Sequence, residues 1–180
     1  MWMSPICLIS EAAEFAARRH TGMSRKGRGD EPYINHLAEV ANLIATVTGG
    51  RDAELIAVGW LHDTIEDTAT TREELAQKFS ERVADLVAEV TDDMRLPKTT
   101  RRQLQIVDAP GKSASGKLVK IADKISNIRA RIHSDPSAEE RADLIDYVDW
   151  AEKVVAGCRG GNATLDRMFD ETVKLARSTL

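Results

Sequence analysis

The feature that most restricts the fold is the run from Asp52 to Thr68. There Leu55, Ile56, Val58, Gly59, Trp60 and Leu61 lead into His62, Asp63, Glu66 and Asp67. A helix this apolar, with Asp52 as its N-cap and about Thr64 as its end, belongs at the centre of a fold. If helical geometry continues, His62 and Glu66 share one face and Asp63 and Asp67 the neighbouring one, so an imidazole and three carboxylates enter a half-dry region. Buried charge of this kind needs compensation. A divalent cation provides it, and imidazole with carboxylate suits Mn, Fe, Co, Ni or Zn better than Mg or Ca. With four histidines in the chain, a His-Asp pair alone is a weak signal; its weight comes from Glu66 and Asp67, and from His36 and Asp123 in other apolar helical segments.

The rest of the chain repeats helical spacing. Ile6, Ile9, Ala13, Ala16 and Ala17 mark a first helix from Ser4 to Arg19, and Ile34, Leu37, Val40, Ala41 and Ile44 mark a second that Pro32 starts and Gly49-Gly50 ends. Thr70 to Glu74 offers overlapping capping boxes for a short helix to Phe79, Ser80 caps another through Val90, and Pro97 opens one through Val107. A helix from about Gly116 to Ile132 carries Leu118, Ile121, Ala122, Ile125 and Ile128 as its stripe. Two more follow, Ala138 to Cys158 and, from Asn162 or Thr164, to Arg177. Aromatic residues are scarce, at 4%, which fits an all-α protein better than a sheet protein. The expectation is a compact single-domain helical bundle spanning residues 1–180, with eight to nine helices and one core.

Composition narrows the partners. No apolar run is long enough to cross a bilayer, and Met1-Trp2-Met3-Ser4-Pro5 lacks a basic signal-peptide start, so the expectation is a soluble cytoplasmic protein with no membrane partner. Cys7 and Cys158, far apart, read as reduced thiols. A net charge of −4 argues against binding a nucleic-acid polymer. Basic residues nevertheless cluster at Arg18, Arg19, Arg25, Lys26 and Arg28, and at Arg95, Lys98, Arg101 and Arg102. They suit a small anionic ligand, or equally solvated helix ends. No feature specifies an oligomeric state.

Position alone leaves His36 open between a hydrogen-bonded core histidine and a ligand, and Asp123 between a salt bridge and a ligand. Tyr147 and Trp150 read as core or as an aromatic wall. Should His36, His62, Asp63 and Asp123 converge, they form an open octahedral-type metal site suited to activating water and polarising a phosphoryl oxygen. Glu66 and Asp67 would then orient that water and move its proton, while the basic loop neutralises phosphates. Hydrolysis of a phosphate or pyrophosphate ester follows. The sequence contains no GxxxxGK[ST], GxGxxG, GxSxG or CxxC pattern to support another common chemistry.

Arg25-Lys26, then Pro32-Tyr33-Ile34-Asn35-His36, then His62-Asp63-Thr64-Ile65-Glu66-Asp67-Thr68, then Lys120-Ile121-Ala122-Asp123-Lys124 with Asn127 and Arg129, closely resemble the HD-type hydrolase domain of RelA/SpoT proteins. The similarity runs over nearly the whole chain. The length, the five residues between Lys26 and Pro32 and the stretch Trp150-Ala151-Glu152-Lys153-Val154-Val155 are most similar to the stand-alone small alarmone hydrolases. The resemblance implies an HD-domain phosphohydrolase fold, one Mn2+ per chain (or another divalent transition metal) on His36, His62, Asp63 and Asp123, and water activation by Glu66 and Asp67. It implies nucleotide contacts from Arg25, Lys26, Tyr33, Asn127 and Lys98, and removal of the 3′-pyrophosphate of ppGpp or pppGpp. Two positions depart from the pattern: Leu37 stands where Pro is usual, and Ser126 where His or Tyr is usual, which is expected to widen or re-polarise the nucleotide pocket. Competing expectations are an HD phosphohydrolase acting on another phosphorylated nucleotide such as NADPH, a non-catalytic nucleotide sensor, and a metal-free helical interaction protein.

Overall fold

The computed structural model describes residues 4–25, 31–132 and 137–180. Its helices are α1 (Pro5–Arg19), α2 (Ile34–Thr48), α3 (Ala53–Leu61), α4 (Thr64–Asp67), α5 (Arg72–Lys78), α6 (Glu81–Val90), α7 (Lys98–Asp108), α8 (Ala114–Arg131), α9 (Ala138–Ala156) and α10 (Ala163–Ser178). Nine of these have at least seven residues and α4 is a single turn. Among the described residues the only extended pairing is one antiparallel bridge between Ser24 and Pro32. No helix there is long and apolar enough to cross a membrane.

The layout follows from the apolar stripes. α3 is buried nearly all round and packs on α1 and α2, while α8 packs on α2, α9 and α10. Their inward residues form one core that includes Leu37, Val40 and Ile44 of α2, Leu55, Val58 and Leu61 of α3, Ile121 and Ile125 of α8, and Phe169 of α10. α2 and α3 approach so closely that a Cβ on Gly59 would lie 2.7 Å from Ala41 Cα.

Helix ends sit where capping chemistry places them. Asp52, Thr71, Ser80 and Ser113 each accept a hydrogen bond from a backbone N–H three residues on, and Ser137 with Glu140 forms a full capping box. Gly49, at φ 61°, closes α2 in the left-handed region. Asn162, not Thr164, starts α10, because its Oδ1 accepts from both Thr164 N and Leu165 N while its Nδ2 donates to Val47 O at the end of α2. Asn162→Ala is therefore expected to lower stability by about 1–2 kcal/mol, measured by denaturant unfolding.

Two boundaries differ from the sequence expectation. Pro32 does not open α2: Tyr33 N donates to Met23 O and Arg25 N to Glu31 O, so Pro32 belongs to the short extended pairing and the helix begins at Ile34. The central helix also does not run on through Thr64. His62 Nδ1 bonds Gly59 O at 2.9 Å and Thr64 Oγ1 donates to Leu61 O at 2.6 Å. These side chains take carbonyls at the end of α3, and the chain turns at His62-Asp63 before α4.

Candidate functional site

The turn at His62-Asp63 brings polar ends of three helices to one point. His36 lies in the first turns of α2, His62 and Asp63 between α3 and α4, and Asp123 midway along α8. His36 Nε2 is 3.2 Å from His62 Nε2, 3.3 Å from Asp63 Oδ2 and 3.4 Å from Asp123 Oδ1. His62 Nε2 is 3.2 Å from Asp63 Oδ2 and 3.9 Å from Asp123 Oδ1. Donors about 2.1 Å from one ion at right angles are roughly 3 Å apart; His36, His62 and Asp123 fit a shared divalent cation, and Asp63 Oδ2 stands within reach of both histidines.

The surroundings aim these atoms. Both histidines are almost fully buried. With Nδ1–H donated to Gly59 O, His62 presents its Nε2 lone pair to the other three donors, and burial holds its pKa below the ordinary histidine value. His36 loses basicity to burial, but the hydrogen bonds it donates to Asp123 and Asp63 outweigh that and push it up to about 9. His62 and His36 hold Asp63, and Lys124 with His36 holds Asp123, well below the usual carboxylate range in spite of burial. Asp123 uses its two oxygens differently: Oδ1 faces the histidines and Oδ2 accepts from the buried Lys124 Nζ at 2.8 Å. Asn127 Nδ2 donates to Asp123 Oδ1, and Tyr33 Oη donates to Asp63 Oδ2 at 2.6 Å.

Glu66 lines a cavity of about 150 Å³ together with Tyr33, His62, Asp63, Asp123, Lys120 and Asn127. Burial and the nearby Asp63 and Asp92 carboxylates push its pKa up to about 7, against the hydrogen bond that Asp92 N donates to its Oε2 at 3.0 Å. A carboxyl that changes protonation near neutrality can take and return a proton. Asp67, raised by burial and by Asp63, faces a second, larger cavity of about 420 Å³. Arg25, Lys98, Arg101, Arg102 and Arg131 line that cavity, facing Glu66, Asp67, Asp92 and Asp143. Tyr147 and Trp150 form an aromatic wall to it, with Arg131 3.8 Å from the Tyr147 ring centre and Arg102 4.8 Å from that of Trp150. Arg101 Nε and Gln105 Oε1 are buried without a protein partner among the described residues, and both residues line this cleft. An anionic, hydrogen-bonding ligand would satisfy them.

Of the positions singled out in the sequence, His36, His62, Asp63 and Asp123 come together. Glu66, Tyr33 and Asn127 adjoin them, while Asp67, Arg25 and Lys98 line the larger cleft. Lys26 lies outside the described residues. Ser126 lines neither cavity. It is fully buried behind His36, because the face of α8 that carries it packs on α2. Sequence reasoning missed Asp92, whose backbone fixes Glu66, and Lys124, whose only signal is adjacency to Asp123.

The HD domain profile matches residues 12–146. The guanosine-3′,5′-bis(diphosphate) 3′-pyrophosphohydrolase MESH1 of Xenopus tropicalis is 42% identical over 167 residues, covering 93% of each chain. The Homo sapiens protein of that name is 41% identical over 166 residues, covering 92% of this chain and 93% of the other. A solved structure, described as a metazoan ortholog of SpoT that hydrolyzes ppGpp, superposes with a TM-score of 0.86 at 33% identity, covering 100% of this chain and 99% of that one. A Listeria monocytogenes EGD-e protein superposes with a TM-score of 0.62 at 25% identity, covering 82% and 95%. On the combined ground of profile, relatives and fold, the chain belongs to the HD-domain family.

Proposed function

We propose that residues 1–180 act as one catalytic unit, a metal-dependent hydrolase that removes the 3′-pyrophosphate of ppGpp or pppGpp to give GDP or GTP and pyrophosphate. Membership of the HD-domain family implies a divalent cation, and His36, His62, Asp63 and Asp123 are the residues that would hold it, as Mn2+. The observation that carries the reading is the convergence of these donors beside a carboxyl with a pKa of about 7, at the mouth of a cleft that holds four arginines and a lysine. Relatives named for this reaction at 41–42% identity support it.

Bound there, the cation would supply charge neutralisation and Lewis acidity toward a phosphoryl oxygen. Glu66 takes the proton of the attacking water as the new P–O bond forms at the 3′-linked phosphorus. Asp67, beside Glu66 and facing the cleft, helps to orient that water and to pass its proton on to the departing 3′ oxygen. Arg25, Lys98, Arg101 and Arg102 bind the phosphates, and Tyr147 with Trp150 offers the purine an aromatic surface. Tyr33 also lines the cleft, where it can contact the nucleotide. Its hydroxyl steadies Asp63, and burial with the adjacent carboxylates holds its pKa far above the usual phenol value, so it stays a donor.

The test is a side-by-side assay of ppGpp, pppGpp and NADPH with chelated and Mn2+-restored protein. The expected result is turnover of ppGpp and pppGpp in preference to NADPH, with chelation lowering the rate at least about 10²-fold. A preference for NADPH would replace the substrate. Nucleotide binding without turnover, equal in Glu66→Gln, would replace the enzyme with a sensor.

A further inference from the structure

Behind His36, on the side away from the other three donors, the structure holds a hydrogen-bonded chain that joins α2 to α8. His36 Nδ1 is 2.9 Å from Ser126 Oγ, and Ser126 Oγ donates to Glu39 Oε2 at 2.6 Å. Arg129 Nη1 donates to the other oxygen, Glu39 Oε1, at 2.9 Å. Arg25 Nη2 donates to Ser126 O at 3.2 Å and to Ser126 Oγ at 3.3 Å. Ser126 is fully buried.

The direction of this chain is set by donor arithmetic. Burial raises the Glu39 pKa, but the bonds from Ser126 and Arg129 prevail and lower it, so Glu39 is a carboxylate and can only accept. Ser126 has a single hydroxyl proton, which therefore goes to Glu39. Its lone pairs remain for Arg25 and for His36, so His36 must be the donor at Nδ1. That leaves the proton-free or exchangeable position at Nε2, the atom directed at His62, Asp63 and Asp123. The 3.4 Å approach of Arg25 Nη2 to His36 Nδ1 is longer than the Ser126 contact and competes with it weakly.

We infer that Glu39 and Ser126 are positioning residues of the candidate metal centre, a carboxylate–hydroxyl–imidazole relay that fixes the tautomer and ring orientation of His36. Neither touches substrate. Outer partners of a ligating histidine raise its basicity and hold its ring, and their loss typically weakens metal binding about 10–100-fold. Ser126 thereby acts on the metal side of the site although it lines no cavity. Glu39 sits one turn after His36 on α2, so the helix itself keeps the two ends of the relay in register.

The inference rests on the four-donor reading of the preceding subsection, and a double-mutant cycle separates the two. Mn2+ affinity would be measured from the electron paramagnetic resonance signal of the free ion for wild type, Ser126→Ala, Glu39→Ala and the double variant. Melting of each chelated protein serves as the folding control. Each single variant is expected to bind Mn2+ about 10–100-fold more weakly. The double variant is expected to lose no more than the weaker single, because both remove the same relay. Glu39→Gln, which keeps an acceptor oxygen for Ser126, is expected to recover part of the loss. Affinities in folded single variants equal to wild type, or losses that add in the double, would overturn the relay alone. No Mn2+ binding by wild type would overturn the relay together with the four-donor site.

Discussion

In the Glu66→Gln variant, turnover is expected to fall about 10²–10⁴-fold while the metal-free protein becomes harder to unfold at pH 8. Both effects come from one carboxyl. Its pKa in the fold is about 7 against an ordinary 4.5, chiefly through burial. Between those values the folded protein keeps a proton that the unfolded chain releases. The contribution of Glu66 is therefore fully present below about pH 4.5 and is lost as pH rises through 7. Glutamine is neutral throughout and retains an oxygen for the Asp92 N–H bond. The variant should match wild type near pH 4.5 and exceed it at pH 8 by on the order of 2–3 kcal/mol. Urea unfolding in chelator at the two pH values reads this directly. Equal stability at both would show that Glu66 is not held in the strained, proton-hungry state that a general base requires here.

Gly59→Ala is expected to damage fold and metal binding together. The added Cβ would meet Ala41 Cα at 2.7 Å, Ala41 N at 3.0 Å and Ile44 Cδ1 at 3.1 Å. Two of these are backbone atoms of α2, which cannot swing aside as a side chain can. Relieving the contact means moving α2 away from α3, and overpacking of this kind costs about 1–3 kcal/mol or more, well beyond the gain of up to about 1 kcal/mol in helix propensity. α2 carries His36, and the chain just past α3 carries His62, whose Nε2 atoms lie 3.2 Å apart. Displacement of even a few tenths of an ångström spreads the donor set, so Mn2+ affinity should fall at least about tenfold. Gly111→Ala, where a Cβ meets nothing within 4 Å, is the control expected to leave both properties unchanged. Calorimetric melting and metal titration of the two variants check the contrast.

The parts of this fold that could be read in the sequence are those governed by local rules. Apolar spacing located α1, α2, α6, α8, α9 and α10, and Asp52, Thr71, Ser80 and Asn162 marked the starts of α3, α5, α6 and α10 because a cap uses residues only three positions apart. Gly59 was legible for the same reason: a glycine in so apolar a helix suggests a close neighbour. The break at His62-Asp63 was not, since it depends on which carbonyls His62 and Thr64 capture once the turn has formed. The pairing of Glu39 with Ser126 across 87 positions of sequence has no periodic signature at all. Nor has the grip of Asp92 on Glu66, which arises where the end of α6 passes α4. His36 and Asp123 illustrate the boundary. Helical period placed each beside a buried stripe, but only the packing of α8 on α2 turns two isolated polar residues into neighbours 3.4 Å apart.

The most direct test of the central claim is the identity of the phosphorus products when Mn2+-loaded protein is given ppGpp in ¹⁸O-labelled water, followed by ³¹P NMR and mass spectrometry. The expected result is GDP and intact pyrophosphate in equal amounts, with the label in the pyrophosphate and none on the 3′ oxygen, formed about 10²–10⁴-fold more slowly when Glu66 is replaced by Gln. Release of orthophosphate, label on the nucleoside, or unchanged ppGpp at high enzyme concentration would contradict it.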